Sequence, residues 1–232
     1  MSQPTNYRGY RFPPDIIRHA VWLYCRFGLS FRDVEDLLAE RGVTVTYEAI
    51  RQWCLTFGVD YARRLRRRRG RMGDTWHWDE VFVRIRGQQH YLWRAVDEDG
   101  DVIDILVQSR RNRRAAERFF RKLLKGQGRA PRRLITDKLG SYGAAHRTAM
   151  PSVVHSTRQY ENNRAEASHQ PTRQRERQMR RFKSAAHLQR FASVHGVVQN
   201  LFRVGRHLLR AAHYRLLRTR SFAIWDEVTC AC

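Results

Sequence analysis

Residues 76–87 read WHWDEVFVRIRG, a run of β-branched and aromatic residues that ends in a glycine. Such a run predicts a β-strand followed by a turn. Because successive side chains of a strand point to opposite faces, Asp79 should share a face with Val81 and Val83. Glu80 should then lie on the opposite face. A carboxylate in line with a buried β-branched row is a candidate functional residue.

The segments that follow predict a mixed sheet with helices. Residues 89–101 and 102–109 are strand-like, so three consecutive antiparallel strands are expected. A helical stretch at 111–126 precedes a short apolar strand, RRLITD, expected to lie parallel to the first. A short strand at 151–156 and a basic helical region at 163–182 come next. By fold-level analogy, this α/β order is that of the ribonuclease H-like fold, in which strands one and four lie side by side.

Three amphipathic helical segments come before the strands. They occupy residues 15–28, 31–42 and 47–58, and each is expected to end at its glycine. Ser30, with Asp33 three residues later, predicts a capping box at the start of the second. Three short helices with a tight link before the last are typical of a helix-turn-helix.

These patterns divide the chain into four predicted segments. The boundary falls in a charged stretch with two glycines, which is typical of a connector and not of a packed element. The segments are a helix-turn-helix DNA-binding domain at residues 1–61, a basic linker at 62–74, a ribonuclease H-like catalytic domain at 75–184 and C-terminal helices at 185–232.

The charge of the chain indicates its partner. It has 45 Lys and Arg against 22 Asp and Glu, a formal net charge of +23. A charge of this size and sign makes nucleic acid the expected partner. Most of the basic residues are arginines, whose planar fork suits phosphate contact, although a GC-rich genome that favours Arg codons would give the same bias.

The cysteines and the apolar segments indicate the compartment. The four cysteines form no C-x-x-C pair, so neither a disulfide framework nor a structural zinc is expected. No stretch approaches the roughly 18 to 20 apolar residues of a membrane span, and the N-terminus lacks the apolar core of a signal peptide. We expect a cytoplasmic protein associated with the nucleoid.

Two further acids complete a candidate metal site. Asp137 ends the strand RRLITD, so pairing of that strand with the first would bring Asp79 and Asp137 roughly 5 Å apart. Carboxylates that close repel each other unless a cation lies between them. Glu166 would lie in the first turn of a helix that begins near Asn163, over the same site. The residues alone leave other roles open: Asp79 as a strand-edge charge, Asp137 as a turn aspartate and Glu166 as a capping-box glutamate.

Magnesium suits such a site because it is a hard ion that takes oxygen ligands and keeps several waters. Two ions about 3.5 to 4 Å apart can hold the attacking and leaving oxygens of a phosphodiester. We therefore predict two Mg²⁺ ions at Asp79, Asp137 and Glu166, with Mn²⁺ able to substitute. Imidazole favours softer metals, so His77 and His169 are expected to contact DNA or fill core positions.

Several blocks of the sequence resemble the DDE-class transposases of bacterial insertion sequences, in particular the IS six group. The blocks are WHWDE, YLWRAVDEDG, SRRNRRAA, ITDKLGSYG and NNRAEASHQPTRQRERQMRRFKS, and the likeness extends over nearly the whole chain. The resemblance implies that Asp79, Asp137 and Glu166 are the catalytic acids. It also implies binding to terminal inverted repeats, a homodimer or larger assembly on paired ends, and joining of those ends to target DNA, usually through replicative cointegrates.

Candidate DNA-binding residues lie in three places. Exposed positions of the third helix are predicted to reach base edges in the major groove, and the arginine run before the first strand is predicted to follow phosphates. Arginines after Glu166 would hold DNA beside the metals. The residues are Tyr47, Arg51 and Gln52; Arg66, Arg67, Arg68 and Arg69; and Arg173, Arg177, Arg180 and Arg181. The alternatives are an ordinary three-helix packing unit and a solvated linker.

Two other functions remain open at this point. A helix-turn-helix transcriptional regulator without catalysis would bind an operator, and its acids would be incidental. A nuclease of the same fold would hydrolyse DNA with the same metals but never join strands. A regulator would not cleave DNA, so replacing Asp79 would change no cleavage activity. A nuclease would cleave DNA but would give no product in a strand-transfer assay.

Overall fold

A computed structural model describes residues 7–138, 140–158, 160–178, 182–204 and 209–229. The chain forms two compact units. The first comprises residues 1–69 together with 193–232, and the second comprises residues 70–192. No helix in the described ranges is long and apolar enough to cross a membrane.

The second unit is built on a five-stranded mixed sheet. Its strands are β1 (Thr75–Ile85), β2 (Gln88–Asp97), β3 (Val102–Gln108), β4 (Arg133–Ile135) and β5 (Val154–Ser156). Their order across the sheet is β3-β2-β1-β4-β5. The first three strands are antiparallel, whereas β4 runs parallel to both β1 and β5. The predicted side-by-side pairing of strands one and four is confirmed, and the unit has the ribonuclease H-like fold.

Helices cover this sheet. They are α4 (Arg113–Gln127), α5 (Gly140–Ala149), α6 (Asn163–Gln178) and the first part of α7 (Ala185–Phe202). The core contains Trp76, Trp78 and Trp93 from the strands, packed with Phe119 and Phe120 of α4, all fully buried. Burying such large rings is the main stabilising contribution to a unit of this size. The rings fix where β1 lies, and with it the acid at position 79.

The helices of the first unit are α1 (Pro14–Arg26), α2 (Phe31–Ala39), α3 (Tyr47–Arg68), the last part of α7 and α8 (Ala211–Thr229). The predicted capping box is present, because the Ser30 side chain accepts from the Asp33 amide while the Asp33 carboxylate accepts from the Ser30 amide. α1 ends at Arg26 with an extended Phe27 as its cap, and not at Gly28 as predicted.

The predicted linker is wrong for residues 62–68, which belong to α3. The helix continues through Gly58, where an added Cβ would meet only Val194 and Val21 at 3.8 and 3.9 Å. Ala62 and Leu65 lie on the buried face of the extension. Helical spacing of these apolar residues between the arginines keeps one face packed, so a high charge did not mean an unpacked segment.

The predicted separate C-terminal segment also differs from the structure, because residues from 193 onward cluster with the N-terminal helices. Trp225 of α8 packs edge-on against Tyr61 of α3, with ring centroids 5.4 Å apart. The Tyr7 hydroxyl donates to the Thr229 carbonyl at 2.7 Å. Contacts of α8 with the N-terminal part of the chain thus build one helical unit, which no local sequence pattern reveals.

Candidate active site

Asp79 lies on β1 just beyond its pairing with β4. That pairing runs from Thr75 to His77, and Asp79 is the next residue on the face of His77. This face is covered by α6, which packs against β1 and β2. The Asp79 side chain is 15% exposed. It is therefore a largely buried acid close to the point where the pairing of the parallel strands ends.

Asp137 follows β4 by two residues, and the parallel pairing brings it to Asp79. Oxygens of Asp79, Glu80 and Asp137 all lie within 4.8 Å of one another. The predicted meeting of Asp79 and Asp137 is confirmed. We call Asp79, Glu80 and Asp137 the acid group.

The electrostatics of Asp79 show how crowded the site is. Its pKa is raised to about 6, first because burial disfavours the charged carboxylate, and further by the negative charges of Asp137 and Glu166. The Glu80 backbone amide and the Arg111 charge act in the opposite direction. A divalent cation would remove the repulsion that now favours a proton.

Glu80 is the member that sequence reasoning missed. Strand alternation assigned it to the face opposite Asp79, yet it is only 8% exposed, and burial raises its pKa to about 8. Asp137 and Asp79 raise this pKa further, and Arg111 lowers it. A glutamate is long enough to reach around the strand where β4 has ended. The only available signal was its position directly after Asp79.

Arg111, in the link between β3 and α4, is the cation beside this group. Its Nε contacts Glu80 Oε1, and its Nη2 lies 3.7 Å from Asp137 Oδ2. One guanidinium thus partly balances two of the three carboxylates. Nothing in the sequence reasoning assigned a role to Arg111.

Glu166 lies in the first turn of α6, as predicted, and is exposed. Among the described residues it is not a member of the acid group, but its charge raises the pKa of Asp79. The start of α6 is fixed to β1 because the Asn162 side-chain amide donates to the Trp78 carbonyl at 2.9 Å. Glu166 is therefore an exposed acid whose charge acts on Asp79 from the first turn of α6.

A buried arginine anchors the next turn of α6. Arg94, the cross-strand partner of Asp79, donates to the Ser168 carbonyl and to the Thr172 hydroxyl. His169 lies between these contacts, with Nε2 3.6 Å from Asp79 Oδ2. Burial, followed by the charges of Arg94 and Arg173, lowers the pKa of His169 well below its usual value. The prediction that His169 fills a core position fits this environment.

A family model described as a DDE domain matches residues 73–205, which contain the whole acid group and Glu166. The chain belongs to the DDE transposase family, in the IS six group.

Two relatives within this DDE family are transposases of Staphylococcus aureus. The transposase of the insertion sequence-like element IS431mec of Staphylococcus aureus is 32% identical over 174 residues, which cover 71% of this chain and 75% of the relative. The transposase of IS257 in transposon Tn4003, also from Staphylococcus aureus, is 31% identical over the same shares. The magnesium complex of the HTLV-2 integrase catalytic core domain is 12% identical with a TM-score of 0.41, and covers 62% of this chain and 94% of that one.

The predicted DNA-binding residues of this DDE protein differ from one another in exposure and in hydrogen-bond partners. Tyr47 is exposed with Arg32 over its ring, whereas Arg51 and Gln52 both donate to Glu48. Arg66 donates to the Ser193 carbonyl, and Arg68 pairs with Glu227. Arg67, Arg173 and Arg177 are exposed, and Arg69 is partly buried. Arg180 and Arg181 lie outside the described residues.

Proposed function

We propose that this DDE-family protein is a transposase that binds the terminal inverted repeats of an insertion sequence, cleaves DNA there and transfers the strand to a target. The observation that carries the proposal is the meeting of Asp79 of β1 with Asp137, which follows β4, and it is supported by the charge of Glu166 in the first turn of α6. Asp79 and Asp137 lie in one group within 4.8 Å, and the Glu166 charge acts on Asp79. The named activity of the staphylococcal relatives supports the same function.

In this proposal, Asp79, Asp137 and Glu166 hold two Mg²⁺ ions, for which Mn²⁺ can substitute. Bound ions of this kind activate the attacking oxygen and stabilise the leaving oxygen of an in-line displacement at phosphorus. The carboxylate donors fit a hard cation. The chain holds the acids in position, because Arg94 and Asn162 fix α6 against β1, which carries Asp79, and against β2.

The helical unit is the proposed reader of the inverted repeats. The α2 and α3 helices form the proposed helix-turn-helix, with Tyr47, Arg51 and Gln52 near the start of α3 facing the major groove. Arg51 is held in a two-point ion pair with Glu48, at 2.7 and 2.8 Å. A guanine or phosphate would therefore have to replace Glu48 as the partner of Arg51, which makes the choice of base depend on a competing carboxylate.

The exposed arginines of α6 are the proposed grip on DNA beside the acids. Arg173 and Arg177 are one helical turn apart and follow Glu166 on the same helix. Because two ends must be joined to one target, we propose a homodimer or larger assembly on paired DNA ends in the cytoplasm.

The test is strand transfer with precut ends. The purified protein is mixed with a duplex that ends in the inverted repeat flanking its coding sequence and with a supercoiled target plasmid. We expect joined products with Mg²⁺ or Mn²⁺ and none with Ca²⁺ or EDTA. Asp79→Asn, Asp137→Asn and Glu166→Gln should each abolish joining and leave binding of the duplex intact.

The matched control is Asp104→Asn. Asp104 lies on β3, pairs with Lys122 of α4 and is outside the acid group. This variant should join ends at the wild-type rate if it folds. Cleavage of uncut ends without any joining would assign the protein to the nucleases. Binding of the repeat with no cleavage under any metal would assign it to the regulators.

A further inference from the structure

Phe82 is an aromatic ring left exposed in the middle of β1. Its neighbours Val81 and Val83 are buried, whereas Phe82 is 58% exposed. A single exposed apolar residue needs no explanation by itself. Phe82, however, is held in a defined environment on its own face of the sheet.

Two side chains fix this environment. Tyr91, the cross-strand partner of Phe82, packs against it edge-on with ring centroids 5.6 Å apart. The Tyr91 hydroxyl in turn accepts from the Gln89 side chain at 3.0 Å. The Arg111 guanidinium lies 5.8 Å from the centroid of the Phe82 ring. The ring is thus held in place before any ligand arrives, which lowers the entropy cost of binding to it.

Arg111 connects this ring to the acid group. The same guanidinium that lies over Phe82 contacts Glu80 and approaches Asp137 to 3.7 Å. A phosphodiester bound at Asp137 would therefore lie next to Arg111, whose guanidinium is 5.8 Å from the centroid of the Phe82 ring. An aromatic face with an arginine beside it is the usual platform for an unpaired base, because every base offers a π face and phosphate attracts the guanidinium.

We propose that Phe82, supported by Tyr91 and Arg111, stacks one base that has left the duplex next to the reacting phosphodiester. This inference rests on the proposed function and adds a nucleobase site to it. Among the three proposed catalytic acids, Asp79 is recessed, with 15% of its side chain exposed against 40% for Asp137, so a fully paired duplex has poor access to Asp79. Extrusion of one nucleotide brings its phosphate closer, and the stack offsets the cost of unpairing.

The first experiment reads the stack without requiring cleavage. Duplexes carrying the inverted repeat are prepared with 5-iodouracil at successive positions around the cleavage site and irradiated with the full-length protein in Ca²⁺. We expect one position, or two adjacent ones, to crosslink to the peptide that contains Phe82 or to the one that contains Tyr91. Binding of these duplexes without crosslinks to either peptide at any position would overturn the proposal, whether or not the protein is active.

The second experiment measures coupling between the ring and the base. Phe82→Leu should slow cleavage of paired ends roughly tenfold, the effect of losing one base stack, and Phe82→Trp should restore the rate. A duplex with an abasic site at the crosslinking position should be cleaved equally by wild type and Phe82→Leu. If Phe82→Leu slows cleavage of every abasic duplex as much as it slows cleavage of the fully paired duplex, the stack is contradicted.

The matched control is Phe27→Leu, which removes another exposed ring with an arginine, Arg26, 5.7 Å from its centroid. It should leave cleavage unchanged. If Phe82→Leu instead weakens self-association of the DNA-free protein, the ring belongs to a contact between two copies and the base site is refuted. Failure of the wild-type protein to cleave with Mg²⁺ or Mn²⁺ would refute the proposed function, while the crosslinks would still decide the stack.

Discussion

Glu80 and Asp79 hold protons more tightly than ordinary carboxyl groups, with pKa values of about 8 and about 6. A carboxyl whose pKa is higher in the folded chain than in the unfolded chain binds more protons when folded. It therefore stabilises the fold at low pH, and this contribution is lost as the pH rises through the folded pKa. For Glu80 the loss extends over the interval from the ordinary glutamate pKa of 4.5 to about 8.

The melting temperature of the metal-free protein should therefore fall as the pH rises through this interval. Glu80→Gln removes the titrating group and should flatten the fall, as measured by thermal unfolding in EDTA at several pH values. Mg²⁺ should restore stability at the high end, because it binds the deprotonated acids. An unchanged pH profile in Glu80→Gln would show that this carboxyl is not buried as described.

The position of α6 depends on the buried Arg94. Thr172→Val keeps the side-chain shape and removes the hydroxyl that accepts from this guanidinium. A buried N–H left without a partner costs about 1–3 kcal/mol, so the free energy of unfolding in urea should fall by that amount, and strand transfer should slow with it. Thr148→Val is the matched control, because Thr148 accepts from Arg113 at 3.0 Å on the surface, and its cost should stay below about 0.5 kcal/mol.

The continuity of α3 through Gly58 gives a prediction of opposite sign. Gly58→Ala should raise the free energy of unfolding by about 0.5–1 kcal/mol, because alanine favours the helix and its Cβ has room. The same change at Gly87, whose φ of +81° a Cβ disfavours, should lower it. Stabilities that move in the same direction at both positions would argue against an unbroken helix.

The elements show what a sequence can and cannot predict. Alternation and turn residues predicted β1 and its neighbours, and the fold-level order predicted the meeting of Asp79 with Asp137. The position of Glu80 beside Asp79 was not predicted, because strand alternation describes where a Cβ points. It does not describe how far a long side chain bends where a strand pairing ends. The extension of α3 escaped because its buried Ala62 and Leu65 are hidden among arginines, and the role of Arg94 depends on α6, a distant element.

At the scale of the whole molecule, the net charge of +23 should dominate DNA affinity. Each phosphate contact that is lost should lower the slope of log K against log salt concentration by about 0.9. Arg67→Gln and Arg177→Gln remove exposed arginines and should each have this effect in fluorescence anisotropy titrations. Arg66→Gln is the comparison, because Arg66 already donates to the Ser193 carbonyl. This variant should mainly lower the free energy of unfolding and change the salt slope less than the other two variants do.

The joint binding of divalent cations by Asp79, Asp137 and Glu166 is the claim on which the proposed chemistry depends. Diffraction at the manganese absorption edge, from crystals of the protein with a precut DNA end and Mn²⁺, would locate the ions directly. We expect two anomalous peaks about 3.5–4 Å apart, with all three carboxylates in contact with them. A single peak held by Glu80 and Asp137, with Glu166 remote from it, would contradict the account.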